Sequence, residues 1–471
     1  LGVVDYGLYG VIGGLVIIFT TLNSTFASAT SRYITVELGK EDRVQLRIVF
    51  STSLVIHTVL AVIILVLCET VGLWFLLCKM VIPADRFFAA QWVYQFSVLT
   101  CLFSVVQIPF NALIIAHEKM NVYAYVGLFE AFTNLFIAFL IQIAPTDKLV
   151  FYALCKMLLQ ICVSLFYRIY CRGHYKESRF IFHKEWKLYK EMLSYSAYDM
   201  IGVTSVMAQG QGLNIILNLF CGPAVNAARS VSYQIQGAIS QFASNFMTAV
   251  NPQIVKYYVR GEIDNMMKLV KRSSILSFLL LFVMILPLSL EIRFVLQLWL
   301  GAYPEYAPAF AVLVLISALI SAFRNPRTRI FHATGHIKLS NLVTGTTLCL
   351  ALPLGYVLMK MGLPPTSVFW GVILTMCIAD CTNLVILKRY ITYSMRDFVL
   401  QVHLRCVVTA IFASVIPLIL YFYMVDNFLR FICIVLASIF TTTVFAWMFA
   451  LSRSERILLI AFIREKKWKR R

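Results

Sequence analysis

The residues best suited to chemistry lie between positions 223 and 252. At steps of three or four they read Asn226, Arg229, Tyr233, Gln236, Ser240, Ser244, Thr248 and Asn251. That spacing gathers side chains on one face of an α-helix. Small hydroxyls and amides in such a stripe serve either as hydrogen-bonding glue between helices or as the lining of a wet cavity. Arg229 is the exception: its planar fork grips a phosphate through two parallel hydrogen bonds, so a cavity or an ion pair is the natural role. The preceding stretch adds Asp199, Gln209, Gln211, Asn214 and Asn218. Earlier segments are drier but contain Glu130 and Lys156, which suit either a buried pair or a substrate or coupling role. Asp380 and His57 are further groups able to exchange a proton, although a lone histidine in such a setting is commonly just hydrogen-bonded.

These groups acquire their meaning from the apolar chain that carries them. Of 471 residues, 60% are hydrophobic and only 13% charged, with a mean hydropathy of +0.81. A water-soluble globular protein is excluded. Runs long enough to cross the ~30 Å hydrocarbon core as helices recur at 6–31, 48–69, 89–116, 121–143, 149–171, 194–220, 223–252, 273–300, 307–331, 338–361, 367–389, 403–424 and 429–452. Ionisable groups inside such spans are costly and face a bundle interior or water, which is why the residues above are functional candidates. By helical rise, Glu130 and Asp380 lie ~13 Å inside their spans.

The net charge of +19 would suggest nucleic acid in a soluble protein. Here the basic residues sit in alternate connections, 33 Lys and Arg in one set against 5 in the other. The positive-inside rule makes the rich set cytoplasmic, the carboxyl-terminal KKWKRR included, and no nucleic-acid partner is expected. The basic tail is expected to meet anionic lipid at the inner surface. The twelve cysteines form no CxxC pair, His332 and His336 lack the glutamate of HExxH, and no P-loop occurs. No metal or cofactor site is expected, and no cluster of catalytic acids or bases is found.

The chain also echoes itself. Gly2 pairs with Gly222, Phe26 and Ala29 with Phe246 and Ala249 at an offset of 220, and Ala116 with Ala333 at an offset of 217. Parallel repeats in transporters leave such traces. The expected fold is therefore an all-α polytopic membrane protein: two six-helix lobes related by a parallel pseudo-two-fold repeat, plus two carboxyl-terminal helices. Thirteen spans are expected in the chain, with the first helix of a fourteen-helix fold missing ahead of Leu1. The lobes are placed at 1–171 and 194–389, joined by a basic linker at 172–193 that contains an amphipathic helix. Two additional spans follow at 390–452, then the basic tail at 453–471. Pro109, Pro252, Pro287, Pro353 and the cluster Gly10, Gly13 and Gly14 supply points where helices bend.

The segments LGVVDYGLYG, SRYITVELGKED, IPFNALIIAHEKMNVYAYVGLFEA and, above all, GPAVNAARSVSYQIQGAISQFASNFMTAVNPQIVKYYVRGE at 222–262 resemble Wzx-type polysaccharide repeat-unit flippases. These belong to the multidrug, oligosaccharidyl-lipid and polysaccharide exporter superfamily. The resemblance implies two six-helix lobes around a central cavity in the bacterial inner membrane. It implies transport of an undecaprenyl-pyrophosphate-linked oligosaccharide to the periplasmic leaflet for O-antigen, capsule or exopolysaccharide assembly, with polymerase machinery as a possible partner. The pyrophosphate then calls for fixed cations, for which Arg229, Lys156, Arg32 and Arg324 are the candidates. The sugars call for amides, hydroxyls and aromatic faces: Asn226, Tyr233, Gln236, Ser240, Asn214 and Gln211. Proton or sodium coupling is expected at Asp199, Glu130 or Asp380. The competing expectations are an organic-cation antiporter of the same superfamily, a flippase for a lipid-linked peptidoglycan precursor and, from another class, a membrane-embedded polymerase or sugar transferase.

Overall fold

The computed structural model describes residues 23–78, 82, 84–143, 147–183, 185–451 and 456. The opening segment with Gly2, Gly10, Gly13 and Gly14, the first part of the 6–31 span, and the basic tail apart from Arg456 lie outside the described residues. Among the described residues there are helices and no strand. We number the principal ones α1 (23–39), α2 (Arg43–Cys78), α3 (Phe87–Ala116), α4 (Met120–Leu140), α5 (Lys148–His174), α6 (Trp186–Cys221), α7 (Pro223–Val259) and α8 (Ile263–Leu290). They continue with α9 (Ile292–Leu300), α10 (Ala307–Thr334), α11 (Ile337–Lys360), α12 (Thr366–Tyr390), α13 (Met395–Tyr423) and α14 (Phe428–Ala450).

The helix starts follow capping chemistry. Asp42 accepts from the Val44 and Gln45 amides, Asp147 from Leu149 and Val150, and Asn427 from Arg430. Gly301 and Gly335, at φ of 70° and 81°, end α9 and α10 in a conformation that other residues resist. In α2, at the π-turn Cys68–Gly72, the Cys68 carbonyl accepts from the Leu73 amide and also from the Tyr94 hydroxyl, the latter at 2.6 Å. A Cβ on Gly72 would lie 2.2 Å from that hydroxyl oxygen, so this approach needs glycine.

Eleven described helices are long and apolar enough to span a membrane. Of the thirteen expected spans, two account for the difference. The 6–31 span is only partly described, and 223–252 is a continuous helix whose polar face keeps it out of the apolar set. The expected 273–300 span is displaced: the helix runs from Ile263 to Leu290, breaks at Glu291 and resumes as the short α9. Large apolar side chains remain open along these helices, Phe129, Phe132, Leu135, Phe136 and Phe139 on α4 among them. Hydrocarbon, not water, is the solvent such a surface fits.

The chain divides into two compact units: 1–203 with 255–261, and 204–254 with 262–471. The first packs α2 to α5 around Phe50, Leu113, Val126, Val163 and Tyr167, with a second cluster around Ile64, Val93 and Tyr94. The second packs the latter part of α6 with α7, α9, α10, α11 and α12 around Leu217, Ala228, Leu296, Phe310, Ala351 and Phe369. Both unit boundaries inside 186–259 fall within helices, at Val203 of α6 and Ile254 of α7.

Candidate functional site

At about 100° per residue, the polar residues of α7 cover roughly half of the helix circumference. Val225, Ala228, Ile239, Ala243 and Met247 form the buried side. Asn226, Arg229, Tyr233, Gln236 and Ser240 are half-buried along one border, and Ser230, Gln234, Gln241, Ser244 and Asn245 are exposed beyond them. The stripe read from sequence is thus the edge of a broader polar face; Gln234, Gln241 and Asn245 complete it. An open row of amides and hydroxyls at membrane depth cannot face hydrocarbon without a cost of several kcal/mol per group, so this face is a wet one.

Arg229 is fixed from two sides. Its Nη2 donates to the Gly210 carbonyl at 2.7 Å, and its guanidinium carbon lies 4.4 Å from the centre of the Tyr233 ring. This contact joins α7 to the polar segment of α6. There Gln211 is exposed, while Gln209 is buried with its Nε2 unpartnered. The buried Oδ1 atoms of Asn214 and Asn226 also lack partners. Arg229 makes no ion pair among the described residues, and residues 223–254 contain no carboxylate.

In the first unit, Lys156 Nζ donates to Asn134 Oδ1 at 2.7 Å and lies 5.6 Å from the Tyr152 ring. Glu130 is close enough to interact electrostatically with Lys156, but the expected buried pair is not an ion pair here. Gln160 donates to Gln107 at 2.8 Å. Arg32 lies against two rings, 4.9 Å from the centre of Tyr33 and 5.3 Å from that of Tyr195. Asp199 is buried on α6.

Asp380 belongs to a network that sequence reading did not assemble. It accepts from Arg327, which is fully buried, and lies 3.2 Å from His403 Nε2. Arg324 sits within electrostatic reach of the same carboxylate, and its buried Nη1 is unpartnered. The network joins α10, α12 and α13. Arg324, one of the candidate cations for the pyrophosphate, stands beside this cluster. Arg327 had counted only toward the basic total, because its partner is 53 residues away. A second buried pair, Arg430 with Glu291 at 2.5 and 2.8 Å, fixes the start of α14 to the α8–α9 break.

The family described as "Polysaccharide biosynthesis protein" matches residues 1–258, more than half of the chain. No curated protein sequence matches significantly. Among solved structures, a single-residue variant of a MATE protein aligns with a TM-score of 0.75 at 12% identity, covering 84% of this chain and 90% of its own. An outward-facing multidrug resistance MATE family transporter of the MOP superfamily gives 0.74 at 13%, covering 84% and 89%. A MOP superfamily transporter from Pyrococcus furiosus, whose binding pocket is described as reversed in polarity, gives 0.70 at 14%, covering 84% and 88%. At these identities the likeness is one of fold.

Proposed function

The chain belongs to the polysaccharide biosynthesis protein family, and on that premise we propose that it is a flippase for lipid-linked oligosaccharide. In this reading it carries an isoprenoid-pyrophosphate-linked repeat unit from the cytoplasmic to the periplasmic leaflet of a bacterial inner membrane by alternating access, as Wzx-type transporters do. The family, the MATE-like fold and eleven described helices apolar enough to span a membrane support the reading as a multi-pass transporter; the cargo is our inference.

The observation that carries it is the polar face of α7. A wet face with a fixed arginine and no carboxylate attracts an anion and repels an organic cation. The guanidinium of Arg229 keeps donors free beyond the one used on Gly210, and these suit a diphosphate. Tyr233 and the amides of Asn226, Gln234, Gln236 and Gln241 suit sugar hydroxyls and ring faces. The reversed pocket polarity described for the Pyrococcus furiosus transporter, taken there to suggest a different function, gives a precedent for such a change within one fold. Because Asp380 is engaged by Arg327 and His403, proton or sodium coupling falls to Glu130 or Asp199 in this scheme. Lys156, Asn214, Gln211, Ser240 and Arg32 remain cargo contacts in it, and anionic lipid holds the basic tail.

The test is genetic and direct. Deleting the gene in its host should leave lipid-linked repeat units on the inner leaflet and remove surface polymer. Wild-type protein should restore both, whereas Arg229→Ala at equal abundance should not. Normal surface polymer after deletion would refute the assignment.

A further inference from the structure

Four connections on the basic side of the membrane hold a residue at positive φ: Glu41 at 62°, Glu118 at 59°, Gly261 at 74° and Gly335 at 81°. Glu41 and Gly261 are 220 residues apart, Glu118 and Gly335 are 217 apart. These are the offsets at which the sequence echoes itself. In the second half the left-handed position is filled by glycine, which adopts it freely. In the first half it is filled by glutamate, which does not. A side chain retained against its own backbone preference calls for a task.

Both glutamates point to the same stretch of chain. Glu118 pairs with Lys256, and Arg260 Nη2 lies 3.7 Å from Glu41 Oε1. At Gly39 the first connection packs on Lys256 and Val259, close enough that a Cβ there would touch both at 3.5–3.6 Å. Residues 255–261 accordingly group with the first unit, although the body of α7, with Arg229, groups with the second. The change of allegiance comes just after Pro252, which removes a backbone hydrogen bond from the helix and marks its natural joint.

We propose that Glu41 and Glu118 form an ionic latch that grips the end of α7, and that its opening frees the Pro252 joint so that the polar face above can reorient. A cavity of about 530 Å³ beside the latch is lined by Glu37, Asp42, Arg43 and His117 together with Glu41, Lys256 and Arg260, so water reaches it. The Glu41–Arg260 pair is largely exposed, with side chains 81% and 50% accessible. Exposed pairs are weak and screened by salt, which suits a contact that must open repeatedly. The gating role rests on the reading of the chain as an alternating-access transporter; the latch itself does not.

Hydrogen exchange of the full chain in lipid nanodiscs, read over residues 250–262 without cargo, tests the latch separately from the transport assignment. In the Glu41→Gly, Glu118→Gly double variant the turns keep a residue that favours their conformation while both carboxylates are lost. Exchange confined to 255–262 should rise by at least about threefold with thermal unfolding unchanged or raised. The reversed pair Glu118→Lys with Lys256→Glu should regain protection relative to either single change. Unchanged exchange in the glycine variant, loss of protection throughout the chain, or failure of the reversed pair to recover would overturn the proposal.

Discussion

At the scale of single residues, Arg229 bears most of the functional argument and was also the most legible. Helical spacing placed it on a polar face, and the structure adds the Gly210 carbonyl and the Tyr233 ring that hold it. Removing a charge-assisted contact costs about 1.5–3 kcal/mol, so Arg229→Ala should weaken transport of a diphosphate-bearing cargo roughly tenfold to hundredfold. Arg229→Lys should recover only part, because an ammonium can neither fork nor stack in the same way. Equal rates for all three proteins, measured in vesicles, would remove Arg229 from the site.

His117 was not legible, because its environment comes from distant segments. Its Nε2 meets Glu177 at 2.9 Å and its ring stacks on Tyr175 at 4.1 Å. Burial holds the imidazole below its ordinary 6.5, with Lys256 and Lys119 adding to the effect and Glu177 opposing it. The charged form is therefore disfavoured in the folded chain. Stability from this source is intact above about 6.5 and is lost as pH falls through 6.5 toward the lower folded value. Thermal unfolding should fall between pH 7.5 and pH 5.5, and His117→Gln should reduce that fall. Identical pH slopes for the two proteins would contradict the assignment.

At the scale of elements, apolar runs found the helices but not the pairs that fix them. Sequence separations of 53 residues for Arg327–Asp380 and 139 for Arg430–Glu291 leave no local trace. The break at Glu291 was missed for the same reason: the chain is apolar on both sides of Glu291, and Arg430, which the buried carboxylate meets, lies 139 residues away. Asp380→Asn strands a fully buried guanidinium, which costs about 3–5 kcal/mol. Thermal unfolding in detergent should drop clearly for Asp380→Asn and recover when Arg327→Met is added. A drop that the second change deepens would mean that Asp380 acts other than as the partner of Arg327. The helix α7 illustrates the opposite case, since its amphipathic pattern was plain in the sequence although its low hydropathy keeps it out of the apolar set.

At the scale of the whole molecule, composition alone separated this chain from soluble proteins, the family is that of polysaccharide biosynthesis proteins, and the fold is that of the MATE structures. Left-handed residues stand 220 apart at Glu41 and Gly261 and 217 apart at Glu118 and Gly335, a backbone feature that residue identities do not reveal because the first of each pair is glutamate and the second glycine. The nature of the cargo is the central claim, and reconstitution addresses it most directly. Purified protein in proteoliposomes should move a labelled isoprenoid-diphosphate oligosaccharide between leaflets, read by access of an external glycosidase, and should not exchange organic cations for protons. Proton-driven uptake of an organic cation without any movement of the oligosaccharide would contradict the account.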